Sequence, residues 1–413
     1  MSVMTQISVD AASRERLGVA AITRAAFKGN GLSALTAKLL ATLSENPHDA
    51  GALMDMSVVE QIRGNLQGGL DLQTSALQWC QSYKTQSMHP AHLRLLALAA
   101  PIHMGGNTPV EFLIADAPIS LTTLYVTPGT PLPDPVPEHD LAFVVAPGDS
   151  DFTRPYLDEI AKHASVWSKP VLNAPCNIRN LERDQLAEIL GDVRTLCLPR
   201  ICRMSRDRVA ALGGGVCRIE EIWPDAAWPL VVRPVGAHAG RNLELIARPE
   251  LFSDYLATCD DNEFFLSDYI DYRSGDGVFR KYRIVFVDGK AYPCHMAIAD
   301  QWKVWYMNAD MVTNAEKRAE EEAFMSDFDH GFAARHHAAL SEIVKHVDLD
   351  YFGIDCAEHP DGRLVVFEAD NALIVHDMDA PDIFPYKPAE MRRIFEAFAD
   401  LVKDRAGAVS QAS

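Results

Sequence analysis

The 413-residue chain has no apolar run long enough to span a membrane. Its opening, Met1-Ser2-Val3-Met4-Thr5-Gln6, lacks the basic start and continuous apolar stretch of a secretory signal. Positive charge is scarce. Thirty-eight Lys and Arg stand against 57 Asp and Glu, a formal net charge of −19, which argues against a nucleic-acid backbone as partner. The eight cysteines form no CxxC and no paired metal spacing. Cys197 and Cys202 are the closest pair, and they suit a strand or loop better than a zinc site. Together these absences predict a cytoplasmic protein with reduced thiols and neither membrane nor nucleic acid as partner. The apolar fraction of 48% is ordinary for a globular protein, and the length suffices for two or three domains.

Most of the chemistry lies near the C-terminus. Leu349-Asp350-Tyr351-Phe352-Gly353-Ile354-Asp355 and Leu364-Val365-Val366-Phe367-Glu368-Ala369-Asp370-Asn371 each read as a buried strand carrying acid. His359-Pro360-Asp361-Gly362 between them is hairpin-turn chemistry, and closing that hairpin brings Asp355 beside Glu368 and Asp370. Three crowded carboxylates repel unless a cation intervenes, and hard oxygens with room for phosphate suit Mg²⁺. Acids that merely cap strand ends are the plainer alternative.

Three regions precede and contain this hairpin. Residues 12–85 read as entirely helical, with Leu17, Ala20, Ala21, Ala25 and then Leu32, Leu35, Leu39, Leu43 at helical spacing. Lys28-Gly29-Asn30 recurs as Arg63-Gly64-Asn65, and Ala41 recurs as Ala76 at the same offset. A period near ~34 residues with these turn signals resembles tetratricopeptide repeats, although the large aromatic positions are mostly missing; a plain helical extension is the alternative. From residue 90, apolar runs at 93–100, 121–126, 141–146 and 170–173 alternate with helical patterns at 108–116 and 154–168, which predicts a parallel α/β sheet. The Pro-rich stretch 127–135 is a surface loop. After residue 200 come hairpin signals, including Val287-Asp288-Gly289-Lys290, then a helix over 314–347, the acidic hairpin and an amphipathic helix over 388–403.

Other residues could meet the acids. Leu230-Val231-Val232-Arg233-Pro234-Val235-Gly236-Ala237-His238-Ala239-Gly240 is a strand that presents one cation and then breaks into small residues, whose backbone N–H groups can approach phosphate oxygens. Such loops are common after strands. Ser267-Asp268-Tyr269-Ile270 could line an adenine or form an ordinary edge strand. In Arg280-Lys281-Tyr282-Arg283, alternation puts Lys281 and Arg283 on one face, with His295 on the next strand; a solvated charged face is the alternative.

The order of these parts resembles the ATP-grasp superfamily over residues 90–375, nearest to glutathione synthetase-like and RimK-like ligases. The resemblance implies a multidomain α/β and α+β fold. A tetratricopeptide-like helical domain would occupy 1–88, a small parallel α/β pre-ATP-grasp domain 89–200, and a two-lobed ATP-grasp domain 201–413. It implies ATP held by Arg183, Arg233, His238, Gly240, Ser267, Asp268, Tyr269 and Ile270, and two Mg²⁺ ions on Asp355, Glu368 and Asp370. Arg283, with Lys281 or His295, would offset charge as a substrate carboxylate attacks the γ-phosphorus. The acyl phosphate would then pass to an amine or thiol. Trp302, Trp305, Asn371 and His376 are the implied substrate contacts, and a peptide substrate and homo-oligomerisation are compatible with the helical region. The sequence departs from the family at five places: Arg183 and Arg233 stand where Lys is usual, Asp370 replaces Asn, Lys281 replaces the acid of Asp-x-Arg, and Val375-His376-Asp377-Met378-Asp379 replaces a small Pro-Gly segment. The two Arg replacements motivate a rival reading, a non-catalytic ATP-binding adaptor whose helices bind a protein, and the intact acidic triad opposes it. A phosphotransferase that stops at the phosphorylated product would use the same residues.

Overall fold

The computed structural model describes residues 14–29, 31–86, 90–148, 152–237 and 240–412, with side chains through residue 408. Strand β1 (Arg14–Arg16) is followed by helices α1 (Val19–Phe27), α2 (Gly31–Glu45), α3 (Ala50–Ile62) and α4 (Leu66–Leu77), then by β2 (Ser82–Thr85). The helices begin where the sequence offers caps: the Asp49 and Asn65 side chains accept from the amides of Ala52 and Gly68. Strands β1 and β2 pair in parallel, Arg14 opposite Tyr83 and Arg16 opposite Thr85. Residues 12–85 are therefore not helical throughout. The four helices form the crossover between two neighbouring strands of a sheet. Of the recurring turn motif, Asn30 lies outside the described residues.

That first sheet continues with β3 (Leu93–Ala99), a short α5 (Val110–Leu113), β4 (Ile119–Tyr125), β5 (Leu141–Val144), α6 (Arg154–Ala164) and β6 (Val171–Leu172). Its order is β1-β2-β4-β3-β5-β6. The pairing of β2 with β4 is antiparallel, so the sheet is mixed rather than all-parallel as expected. A polar tie anchors the crossover: Arg16, 5% exposed, pairs with Glu111 at 2.7 Å, whose other oxygen accepts from the Ala20 amide. Helix α3 is buried on two sides. Leu53 and Met54 join the core beneath the sheet, while Met56 and Val59 pack with Ile22 and Leu39 of the outer helices.

Helices α7 (Pro175–Ile178) and α8 (Arg183–Leu190) lead through β7 (Leu196–Cys197) to a second sheet. It contains β8 (Ile201–Ser205), β9 (Leu230–Pro234), β10 (Glu244–Ile246) and β11 (Glu263–Asp268), with α9 (Arg206–Gly213) and α10 (Leu251–Leu256) packed on it. This antiparallel sheet has its own core around Val232, Phe252 and Phe264. The third sheet is built from β12 (Phe279–Val287), β13 (Lys290–Ala299), β14 (Tyr351–Glu358), β15 (Leu364–Asp370) and β7, in the order β13-β12-β14-β15-β7. Strand β7 lies before residue 200 yet completes this sheet, parallel to β15.

The expected turns are present, with Asp288 and Gly289 both left-handed between β12 and β13. The helix expected over 314–347 is three helices, α11 (Ala315–Ser326), α12 (Phe332–Arg335) and α13 (His337–Val347); the break falls at Asp327–Gly331, where the Gly331 amide turns back to the Asp327 carbonyl. The last helix, α14 (Lys387–Ala412), is longer than expected. Alternate residues of the first and third sheets share two cores: Leu95, Phe143, Val285 and Tyr351 with Phe398 of α14 in one, Leu96, Val144, Ile284 and Phe286 in the other. Asn173, wholly buried, joins the two sheets through the Tyr351 amide and carbonyl. The second sheet thus faces a body made of the other two. None of the helices among the described residues is long and apolar enough to cross a membrane.

Candidate nucleotide and substrate cavity

A cavity of about 770 Å³ lies between the second sheet and that body, within the ~300–1,000 Å³ typical of ligand sites. Arg233 and Phe265 line it from one side, and Lys281, Arg283, Asp355, Glu368 and Asp370 from the other. The loops after β3 and β5 close a third side, at the carboxyl ends of parallel strands where α/β sheets bind ligands.

Lys281 and Arg283 share a face of β12, as alternation predicts, and Arg283 stands opposite Asp355 of β14. Its Nε and Nη2 donate to the two Asp355 oxygens at 2.8 and 3.1 Å, and Lys281 Nζ lies 2.6 Å from Oδ2. Asp355 is 1% exposed. Burial alone would raise its pKa, but Arg283 and Lys281 outweigh that and hold it well below the carboxylate range. Glu368, register partner of Asp355 across the hairpin, receives Arg183 from the first turn of α8. Asp370 accepts from the Ala372 amide at 2.7 Å. Asp355 and Glu368 are thus each engaged by cationic side chains of the chain itself.

This arrangement bears directly on Mg²⁺. Among the described residues no group of three His, Cys, Asp or Glu is placed to hold a metal ion. Glu368 and Asp370 line the cavity and carry hard oxygens of the right chemistry, but to hold an ion Glu368 would have to release Arg183, and Asp355 would have to release Lys281 and loosen Arg283. The fit to a phosphate is better. Arg233 donates one Nη to the Ala237 carbonyl, while its buried Nε has no hydrogen-bond partner among the described residues. Burial, then the nearby Arg183, depresses the Arg233 pKa, so an anion there would offset the repulsion between two guanidinium groups. Gly236 and Gly240, at φ +68° and +72°, each adopt a conformation that suits glycine and allows close backbone approach. His238 lies outside the described residues.

Ser267, Asp268, Tyr269 and Ile270 line the cavity as β11 ends. The Asp268 carboxylate is taken by Arg200, at 2.7 and 3.1 Å. Trp302 and Trp305 also line the cavity. Three expected residues do not. His295 pairs with Arg283 in register but packs its ring 4.7 Å from Tyr306; burial, then Arg283 and Lys387, keeps it neutral well below its usual pKa. Asn371 is wholly buried and donates to the Ala146 carbonyl at 3.0 Å, tying β15 to the first sheet. His376 lies against Phe112, and the adjacent Asp377 binds Arg24 of α1 at 2.7 Å.

Sequence reasoning missed Leu70, Ile102, Phe152 and Lys303, all of which line the cavity. Lys303 is fixed by the Leu243 carbonyl at 2.8 Å. An apolar residue in a distant helix carries no local sign that it faces a site.

No protein-family model and no curated protein matches the chain. Solved structures with a similar course include a RimK domain ATP-grasp protein from Sphaerobacter thermophilus, 14% identical over 75% of this chain and 99% of that one, TM-score 0.45. The VanG D-Ala:D-Ser ligase from Enterococcus faecalis is 12% identical over 75% of this chain and all of its own, TM-score 0.44. The D-alanine–D-alanine ligase from Coxiella burnetii is 10% identical over 78% and 98%, TM-score 0.48. At identities and TM-scores this low, the likenesses carry no argument about substrate or mechanism.

Proposed function

We propose that the chain is an ATP-dependent ligase of ATP-grasp type, joining a carboxylate to an amine or thiol. The observation that carries this reading is Arg233, whose buried Nε has no hydrogen-bond partner among the described residues, lining the cavity across from Lys281, Arg283 and the acids of β14 and β15. The base would sit against Tyr269 and Ile270, and the phosphates between Arg233, the glycine loop and Lys281. Glu368 and Asp370, with Asp355, would hold the Mg²⁺ that accompanies ATP; the ion's chemistry there is to draw charge from the phosphate oxygens. Arg283, fixed by Asp355, orients Lys281's neighbourhood and offsets charge on the transferring group. Arg183 returns to the phosphates when a ligand relieves it of Glu368. The bond from the γ-phosphorus to ADP breaks as the carboxylate oxygen attacks; the amine or thiol then displaces phosphate from the acyl carbon. Gly236 and Gly240, which line the cavity, would pack against the bound phosphates and help keep water from the acyl phosphate.

Hydroxylamine trapping tests this directly: Mg·ATP, a carboxylate and the protein should yield a hydroxamate and ADP. A phosphorylated product without hydroxamate would point to a simple phosphotransferase. The adaptor reading has one observation in its favour, the engagement of all three acids by the chain's own groups. It predicts ATP binding without ADP release from any carboxylate. Tetratricopeptide-like docking of a peptide by α1–α4 belongs to either reading.

A further inference from the structure

The cavity is divided by charge. Its cations and acids come from α8, the second and third sheets and their loops. The wall given by the N-terminal helices and the first sheet carries Leu70, Ile102, Pro147 and Phe152, and His103 is its single ionisable group among the described residues.

Helix α4 is fixed to this wall. Gln73, 6% exposed, donates Nε2 to the Ile102 carbonyl at 3.0 Å, and Gln61 of α3 accepts from the Met104 amide at 2.8 Å. Leu70, one turn before Gln73 on the same helix face, reaches the cavity. The wall continues on the segment directly after Asp370, where Leu373 and Ile374 line the cavity. That segment is held to the first sheet by Asn371, whose carbonyl also accepts from Thr108 Oγ1 at 2.8 Å. An uncharged surface therefore begins within a few residues of the acids.

We infer that this wall is a subsite for a bulky apolar side chain of the substrate, and that the helical crossover between β1 and β2 belongs to the active cavity as its specificity wall. A charged side chain here would lose water and find His103 as the sole ionisable neighbour on this wall among the described residues, while an apolar one gains by leaving water. The assignment of the bound molecule as a reacting carboxylate or amine rests on the ligase reading; the binding preference does not.

Matched probes separate the two. With the intact chain, 3-phenylpropionate is set against succinate, and 2-phenylethylamine against 1,5-diaminopentane. Equilibrium binding is read from tryptophan fluorescence, and ATP-dependent ADP release is read separately. The phenyl probes should bind about tenfold or more tighter than the charged ones. Leu70→Asp should erase that preference without changing Mg·ATP affinity, and Leu70→Met should keep it. Phenyl-selective binding without ADP release would uphold the subsite and remove the ligase reading. Equal or tighter binding of the charged probes would overturn the subsite. So would a preference that survives Leu70→Asp, or no binding of any probe at millimolar concentration.

Discussion

Arg283 grips Asp355 with two hydrogen bonds across adjacent antiparallel strands, at 2.8 and 3.1 Å, and Lys281 closes on the same carboxylate from two residues away. The pair is a fixed centre of charge on the floor of the cavity. It sets the orientation of both cations before any ligand arrives, and pre-set donors need no reorganisation when an anion binds.

Removing the acid should be costly. Asp355→Asn leaves two enclosed cations against each other, and a loss of about 3–5 kcal/mol is expected in urea unfolding. The joint replacement Asp355→Leu with Arg283→Met should cost less than the single one, because it leaves no buried guanidinium without an acid.

Lys281→Met should separate binding from stability. Arg283 still satisfies Asp355, so the melting temperature should stay near wild type. Loss of a charge-assisted donor to phosphate should weaken ATP by about tenfold or more in calorimetry.

Glu358 predicts a pH dependence. Burial alone would raise its pKa, but His336 and Arg335 outweigh that and bring it from 4.5 to about 2. His336 Nε2 lies 2.8 Å from the carboxylate. A depressed carboxyl contributes stability that is full above its unfolded value of 4.5 and is lost as pH falls through about 2. Glu358→Gln should therefore be less stable than wild type at pH 6, by at most about 3 kcal/mol, with the gap closing toward pH 2.

A second buried network supports the tryptophan side of the cavity. Lys387, 3% exposed, lies 2.9 Å from Asp379, 2.5 Å from the Tyr306 hydroxyl and 3.6 Å from Glu321, itself wholly buried. Tyr306 follows Trp305 directly. Lys387→Met should lower stability by about 3–5 kcal/mol and shift the tryptophan emission, since it removes the cation shared by Asp379 and Glu321 and leaves Glu321 only its Tyr306, Tyr386 and Met296 donors beneath the loop that carries Trp302 and Trp305.

Local signals in the sequence were enough to read the hairpins: Asp288-Gly289 and Asp361-Gly362 set the turns, and alternation put Lys281 and Arg283 on one face with Asp355 beside Glu368. Strands β1 and β2 were not legible. They are three and four residues long, charged in part, and exist only because each pairs with a strand far along the chain. The partners of the acids were hidden for the same reason, since nothing local tells Arg183 that it will meet Glu368. Asn371 illustrates the limit of motif reading. It follows the acids in sequence, but successive residues leave a strand in opposite directions, and it points into the junction between sheets.

ATP binding in the cavity between the second and third sheets, through Arg233 and the acids of the hairpin, is open to calorimetric titration. ATP is titrated with and without Mg²⁺ into wild type and Glu368→Ala. Binding to wild type that tightens with Mg²⁺, with the Mg²⁺ effect lost in Glu368→Ala and metal-free binding kept as Arg183 is freed, is the predicted result. No binding to wild type at millimolar ATP, or a Mg²⁺ effect untouched by the substitution, would contradict it.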